Sequence, residues 1–285
     1  MSARITAGLF MSHVPAIGAA VDKGLTEEPY WQPLFEGLKT SRQWIADNPA
    51  DVVILVYNDH GNAFSMEMIP TFALGMAASY QPTDEGWGPR PVPIVEGHPE
   101  LSAHIAQSVI PAGFDLTLVN EMTVDHGLTV PLSMMYDQPA AWPTKVVPLA
   151  INVIQHPAPT GRRCLELGKA IRAAVETFDD DLNVQIWGTG GMSHQLQGAR
   201  AGLINPEWDH AFLERMINDP EGMADVPNVD YLREAGSEGV ELVMWLTARG
   251  ALADLNGGPA PTEAHRLYHV PASNTAVGHL IIENA

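Results

Sequence analysis

The chain has 285 residues, 46% of them hydrophobic, which is enough for one sizeable core within the range of a single α/β domain, and no repeat or low-complexity tract divides it. Its net charge of −19 repels phosphate backbones and excludes the nucleic-acid-binding classes. A single cysteine, Cys164, excludes an internal disulfide and a cysteine-rich zinc cluster.

Taken in chain order, Arg4–Phe10 reads as a strand and Trp31–Asp47 as a helix with Trp31, Leu34, Leu38 and Ile45 along one side. The uninterrupted apolar run Asp51–Tyr57 has the character of a strand buried on both faces. Residues 78–97 form an irregular Pro- and Gly-bearing excursion. Pro99–Val109 (helix), Asp115–Val119 (strand), Lys145–Val153 (strand), Gly161–Thr177 (helix) and Leu182–Trp187 (strand) follow. Pro206–Asn218 and Tyr231–Arg249 read as helices, the first with Asn205 as its cap, and His265–Val270 and Val277–Ile282 as the last strands. This alternation predicts an α/β fold, a largely parallel central sheet flanked by helices, as one domain spanning 1–285. Apolar runs stay strand-sized, far below the ~20 residues of a membrane span. The N-terminus lacks a secretory pattern, so a cytoplasmic location is expected.

Four histidines fall at or near the ends of predicted strands: His13, His60, His126 and His194. Ligands of open α/β sheets collect beyond the carboxyl ends of strands, and glycines flank three of the four. The remaining seven (His98, His104, His156, His210, His265, His269 and His279) are assigned structural roles. A metal site built on these histidines also needs a carboxylate. Asp59 adjoins His60 but points to the opposite side of an extended segment. Glu241 heads an apolar helical face with Met244 and Trp245, where an unpaired buried carboxylate is costly, whereas Glu234 and Glu238 fit a solvated face. Two histidines and one carboxylate suit the facial triad of non-haem Fe(II) oxygenases, and hydrolytic zinc can use the same set. A non-catalytic binding protein on this fold is the third class. Gly188-Thr189-Gly190-Gly191 lacks the remainder of a phosphate-binding fingerprint. Trp187 reads as core, and Asp84–Pro91 as a rigid surface loop from which Arg90 could reach a partner.

Several stretches carry a family resemblance: Ser12-His13-Val14-Pro15-Ala16, Val56–His60, Asp84–Pro91, Val124-Asp125-His126-Gly127, Trp187–Gln197, Gly236–Trp245 and Pro271–Thr275. In these the chain resembles the class III extradiol dioxygenases, particularly catalytic β subunits of the protocatechuate 4,5-dioxygenase type, over nearly its whole length. The resemblance implies Fe(II) held by His13, His60 and Glu241, His194 as catalytic acid/base, and His126 as a second active-site histidine. It also implies Ser273 and Asn274 near the ring carboxylate of the substrate. The implied reaction is extradiol cleavage of protocatechuate by O2 to 4-carboxy-2-hydroxymuconate semialdehyde, with gallate or a methylated gallate as alternatives. The implied partner is a small α subunit in a heterotetramer.

Overall fold

The computed structural model describes residues 2–271 and 274–284. Ten strands are formed: β1 (Arg4–Met11), β2 (Val52–Tyr57), β3 (Phe72–Gly75), β4 (Ser79–Tyr80), β5 (Val95–Glu96), β6 (Thr117–Val119), β7 (Lys145–Ile151), β8 (Asn183–Thr189), β9 (Thr262–His269) and β10 (Val277–Glu283). The α-helices are α1 (Pro15–Asp22), α2 (Gln32–Asp47), α3 (Pro99–Val109), α4 (His126–Tyr136), α5 (Gly161–Glu176), α6 (Pro206–Asn218), α7 (Pro220–Ala224), α8 (Asn228–Glu234) and α9 (Leu242–Gly250). Eight strands make one sheet in the order β6-β3-β7-β2-β8-β1-β10-β9. The centre, β7-β2-β8-β1, is parallel, and β10 and β9 add an antiparallel edge. Among the described residues, no helix is long and apolar enough to cross a membrane.

Every residue of β2 is buried, and its side chains alternate between two cores as the two-residue period of a strand requires. Val52, Ile54 and Val56 join Phe10, Ile186 and the buried faces of α3, α5 and α9. Val53, Leu55 and Tyr57 join Leu9, Trp187 and residues of α1, α2 and α4. The sheet is thus covered on both sides, which explains why β2 reads as unbroken apolar sequence rather than alternation. Trp187 and Cys164 are fully buried core residues, and burial pushes the Cys164 thiol up to about 12.

Two expectations need correction. The single helix Tyr231–Arg249 is instead α8, a turn at Gly236, a 3-10 turn at Gly239–Glu241 and then α9. Gly236 has φ +97°, and a Cβ there would sit 2.1 Å from the His194 carbonyl oxygen, so the chain must break out of helix to let that loop approach. Arg90 does not face outward: its guanidinium is paired with Asp22 and hydrogen-bonded to Thr129 and Ser133 of α4.

Candidate active site

Strands β2, β8 and β1 lie side by side and run in parallel, so the loops leaving their carboxyl ends share one crevice. His60 follows β2, His194 follows β8 and His13 follows β1. The β1 loop runs straight into a helix, with Pro15 starting α1 just beyond His13, and the segment after β6 ends at Asp125, which caps α4, whose first residue is His126. Glu241 immediately precedes α9. The positive ends of all three helices therefore lie beside the residues singled out in the sequence.

His13 is 3% exposed. Its Nδ1 lies 3.0 Å from the Thr189 hydroxyl, which itself donates to the Val56 carbonyl oxygen and so accepts from His13. The proton of His13 therefore sits on Nδ1. Its Nε2 keeps a bare lone pair, is buried, and has no hydrogen-bond partner. That nitrogen lies 3.3 Å from a Glu241 carboxylate oxygen, and His60 Nε2 lies 3.6 Å from the other. His60 is oriented the same way, with Nδ1 2.9 Å from the Asp125 carboxylate. The Gly191 backbone N–H donates to Glu241 at 2.8 Å. This approach requires glycine at position 190, where φ is +134° and a Cβ would meet that of Glu241 at 2.7 Å.

Electrostatics follow from this crowding. Burial lowers His13 below the usual histidine value, outweighing the pull of Glu241. Burial opposes charge on His60 too, but hydrogen bonds to Asp125 and Glu241 prevail and raise it to about 10. Glu241 and Asp125 are buried, which disfavours their ionisation, yet the surrounding imidazoles hold Glu241 well below the carboxylate range and His60 holds Asp125 below it. In the metal-free protein the His60–Asp125 pair should be visible in pH-dependent stability. The raised histidine contributes fully below its unfolded value of 6.5 and loses its contribution as pH climbs toward about 10. The depressed aspartate contributes above 3.8 and loses its contribution as pH falls below that. Asp125→Asn should therefore cost about 1.5–3 kcal/mol, the span for a hydrogen bond to a charged group. In thermal unfolding, the gap from wild type should be widest between pH 3.8 and 6.5 and narrow as pH rises. A gap independent of pH would show that the pair is not ionised as described.

His194 is 7% exposed, and its Nδ1 lies 2.8 Å from the Met192 carbonyl, an acceptor only, which leaves Nε2 as the free nitrogen. Its backbone is held by Ala235 and by a bridge to Thr275. Asn274, at φ +59° and exposed, thus stands beside the His194 loop, while Ser273 lies outside the described residues. His126 lies against His60 with ring centroids 3.9 Å apart and planes tilted by 31°, and meets His13 edge-on at 5.8 Å.

The structure therefore brings His13, His60, His126 and Glu241 together. It also adds residues to which sequence reasoning gave no role, all inside quoted motifs: Asp125, Thr189, Asn58, whose amide nitrogen lies 3.0 Å from His60 Nε2 and 3.3 Å from Glu241, and Glu85 from the loop taken to be a surface feature. Asp59 is turned away, as expected, to accept backbone N–H groups from Gly61 through Phe64. Of the other histidines, His98 caps α3, His104 bonds to Thr177, and His279 is a fully buried core residue whose pKa burial drives down to about 3.

His13 offers an unpartnered Nε2 and His60 an Nε2 beside the Asn58 amide, both turned to one buried carboxylate, a donor set that fits a divalent transition metal once His60 gives up its second proton. A second grouping overlaps it, since His13, His60 and His126 offer ring nitrogens within 4.8 Å of one another. Glu241, outside that grouping, touches both histidines and carries the negative charge a cation needs. Two histidines and a glutamate at strand ends are the residue types from which facial-triad metal centres are built.

Comparison with known proteins identifies the family. Residues 7–278 match the family described as the catalytic LigB subunit of aromatic ring-opening dioxygenase. The chain is 42% identical over 202 residues to a gallate dioxygenase of Pseudomonas putida, covering 70% of this chain and 57% of that protein, less than two thirds of its length. It is 27% identical over 287 residues to a 2,3-dihydroxyphenylpropionate/2,3-dihydroxicinnamic acid 1,2-dioxygenase of Mycolicibacterium paratuberculosis, covering 85% and 88% of the two chains. The crystal structure of an uncharacterized Escherichia coli K12 protein superposes with a TM-score of 0.52 at 16% identity, over 98% of this chain and 100% of that one, a likeness of fold alone. The chain belongs to the LigB family of class III extradiol dioxygenases.

Proposed function

We propose that this chain catalyses extradiol cleavage of a catechol carrying a carboxylate, with Fe(II) held by His13, His60 and Glu241. The observation that carries this reading is the buried, partnerless Nε2 of His13, which converges with His60 on the Glu241 carboxylate. Kinship with ring-opening dioxygenases supports oxygen chemistry over hydrolytic use of the same ligands. Protocatechuate is the substrate we favour, with 4-carboxy-2-hydroxymuconate semialdehyde as product. Gallate is the second reading, supported by the similarity to a gallate dioxygenase.

Bound Fe(II) would supply adjacent positions for the two catechol oxygens and for O2, and a path for electrons from ring to oxygen. The chain's own residues do the rest. A cleft of about 700 Å³ opens on the Asn58 and His60 side of the centre, between Phe64, Met66, Ile69 and Ile154; His13, His126, His194 and Glu241 lie outside its lining. Nε2 of His194 takes the phenol proton that is not lost on binding and returns a proton later, because its Nδ1 is committed to Met192. His126 stabilises charge developing on oxygen.

Among the described residues, the cleft lining includes no Lys or Arg. The ring carboxylate is then met by Ser273 and Asn274 and by a partner. A small α subunit completing a heterotetramer is consistent with the exposure of Met66 (72%) and Ile154 (48%) at the cleft. The test is anaerobic loading with Fe(II), then O2 uptake and product absorbance with protocatechuate and with gallate, with and without a candidate α subunit. Stoichiometric uptake with a ring-opened yellow product is expected for protocatechuate. Faster turnover of gallate would transfer the assignment to it, and no uptake with either, despite bound iron and partner, would sink the reading.

A further inference from the structure

His126 is gripped at two points by one side chain. Its backbone N–H donates to Glu85 Oε1 at 2.9 Å, and its ring Nδ1 lies 2.5 Å from Glu85 Oε2. Both side chains are nearly buried, at 10% and 9% exposure. The loop that delivers Glu85 is tied down on both sides. Ahead of it, Thr83 and Gln81 exchange backbone hydrogen bonds with Val124, in register with the His126 segment. Within it, the Asp84 carboxylate accepts from the Gly86 and Gly88 N–H groups and curls the chain so that Glu85 turns inward. Behind it, Arg90 bonds to Thr129 and Ser133 of α4, the helix that His126 begins.

We propose that Glu85 is a positioning residue that fixes His126 as the Nδ1–H tautomer, so that Nε2 is the nitrogen offered to oxygen atoms in the crevice. An ionised carboxylate only accepts hydrogen bonds, so the ring nitrogen facing it must carry the proton. His60 with Asp125 and His126 with Glu85 then form two adjacent carboxylate–imidazole pairs, one serving the metal and one the substrate or O2. This assignment rests on reading the crevice as a ring-cleaving centre, but its geometry can be tested without turnover.

Glu85→Gln is the discriminating variant. Its amide has one acceptor oxygen and one donor nitrogen. If the oxygen keeps the His126 backbone N–H, the NH2 group faces Nδ1 and can only donate, which drives the ring proton to Nε2. Nitrogen-15 NMR of histidine rings in the metal-free protein, at about pH 8.5, above the ordinary histidine range, reads this directly. His126→Asn identifies the signals. The expected result is a protonated Nδ1 in wild type and a bare Nδ1 in E85Q. A bare Nδ1 in wild type, which requires no variant to fold, or a protonated Nδ1 in both, would overturn the assignment. In Fe(II)-loaded protein, E85Q should lose about 10- to 100-fold in kcat, the span for such supporting partners, with iron content and KM little changed. A flipped ring with undiminished kcat would overturn the catalytic consequence. A flipped ring in a chain whose wild type cleaves no catechol would refute the ring-cleaving reading while upholding the role of Glu85.

Discussion

Glu241→Ala protein, prepared anaerobically and offered Fe(II), is expected to hold no stoichiometric iron and to open no ring. The carboxylate is the one anionic group touching both His13 and His60, and the Gly191 N–H fixes its orientation. Loss of a direct ligand should exceed the 10- to 100-fold penalty typical of outer partners. Thermal unfolding gives a readout independent of turnover. A metal that binds only the folded state stabilises it by about 2.7 kcal/mol at a hundredfold excess over Kd. Wild type should therefore gain stability on adding Fe(II), and E241A should not. His126→Ala, by contrast, should keep both the iron and the stabilisation. The reverse pattern, with iron retained in E241A and lost in H126A, would mean that the three imidazoles His13, His60 and His126 form the centre instead.

His194→Ala should show the second large effect, of a different kind. Its Nδ1 is committed to the Met192 carbonyl, so the whole function of the ring rests on Nε2. Removing a positioned general acid/base costs about 10²–10⁴-fold in rate. The iron content should match wild type, because the residue binds through neither nitrogen to Glu241, His13 or His60. Oxygen uptake under saturating catechol measures the loss. Full kcat in H194A would reject His194 as the base and shift attention to His126.

Much of the architecture is legible in the sequence. β2 announces itself because a strand covered on both faces must be apolar at every position, and α5 and α6 because their buried residues recur with helical spacing beside a proper cap. What was hidden has definite causes. α4 is buried on nearly all sides and carries Pro131 in its interior, so it shows neither an amphipathic stripe nor an unbroken helical composition. The break at Gly236 depends on the close approach of the His194 carbonyl, a contact that no local pattern reports. In the site, the histidines were readable because they sit where strands end. The supporting residues were not, for Glu85 and Asp125 act on side chains reached only through the fold. Glu85 in particular lies in a Pro- and Gly-bearing stretch whose composition is that of an ordinary surface loop. Glu241 could be singled out as a costly buried charge, but which atoms it meets required the sheet order.

The position of β1 has a consequence for how the centre comes into being. The segment carrying His13 belongs to the first strand, yet that strand is clamped between β8 and β10, with Met11 paired to both Thr189 and His279. Ser12 is held in turn by Gly278. His13 therefore cannot be fixed in place until β10, far along the chain, has paired with β1. Closing of the proposed centre is then coupled to the pairing of β1 with β10, two strands far apart in the sequence, rather than to any local folding around His13.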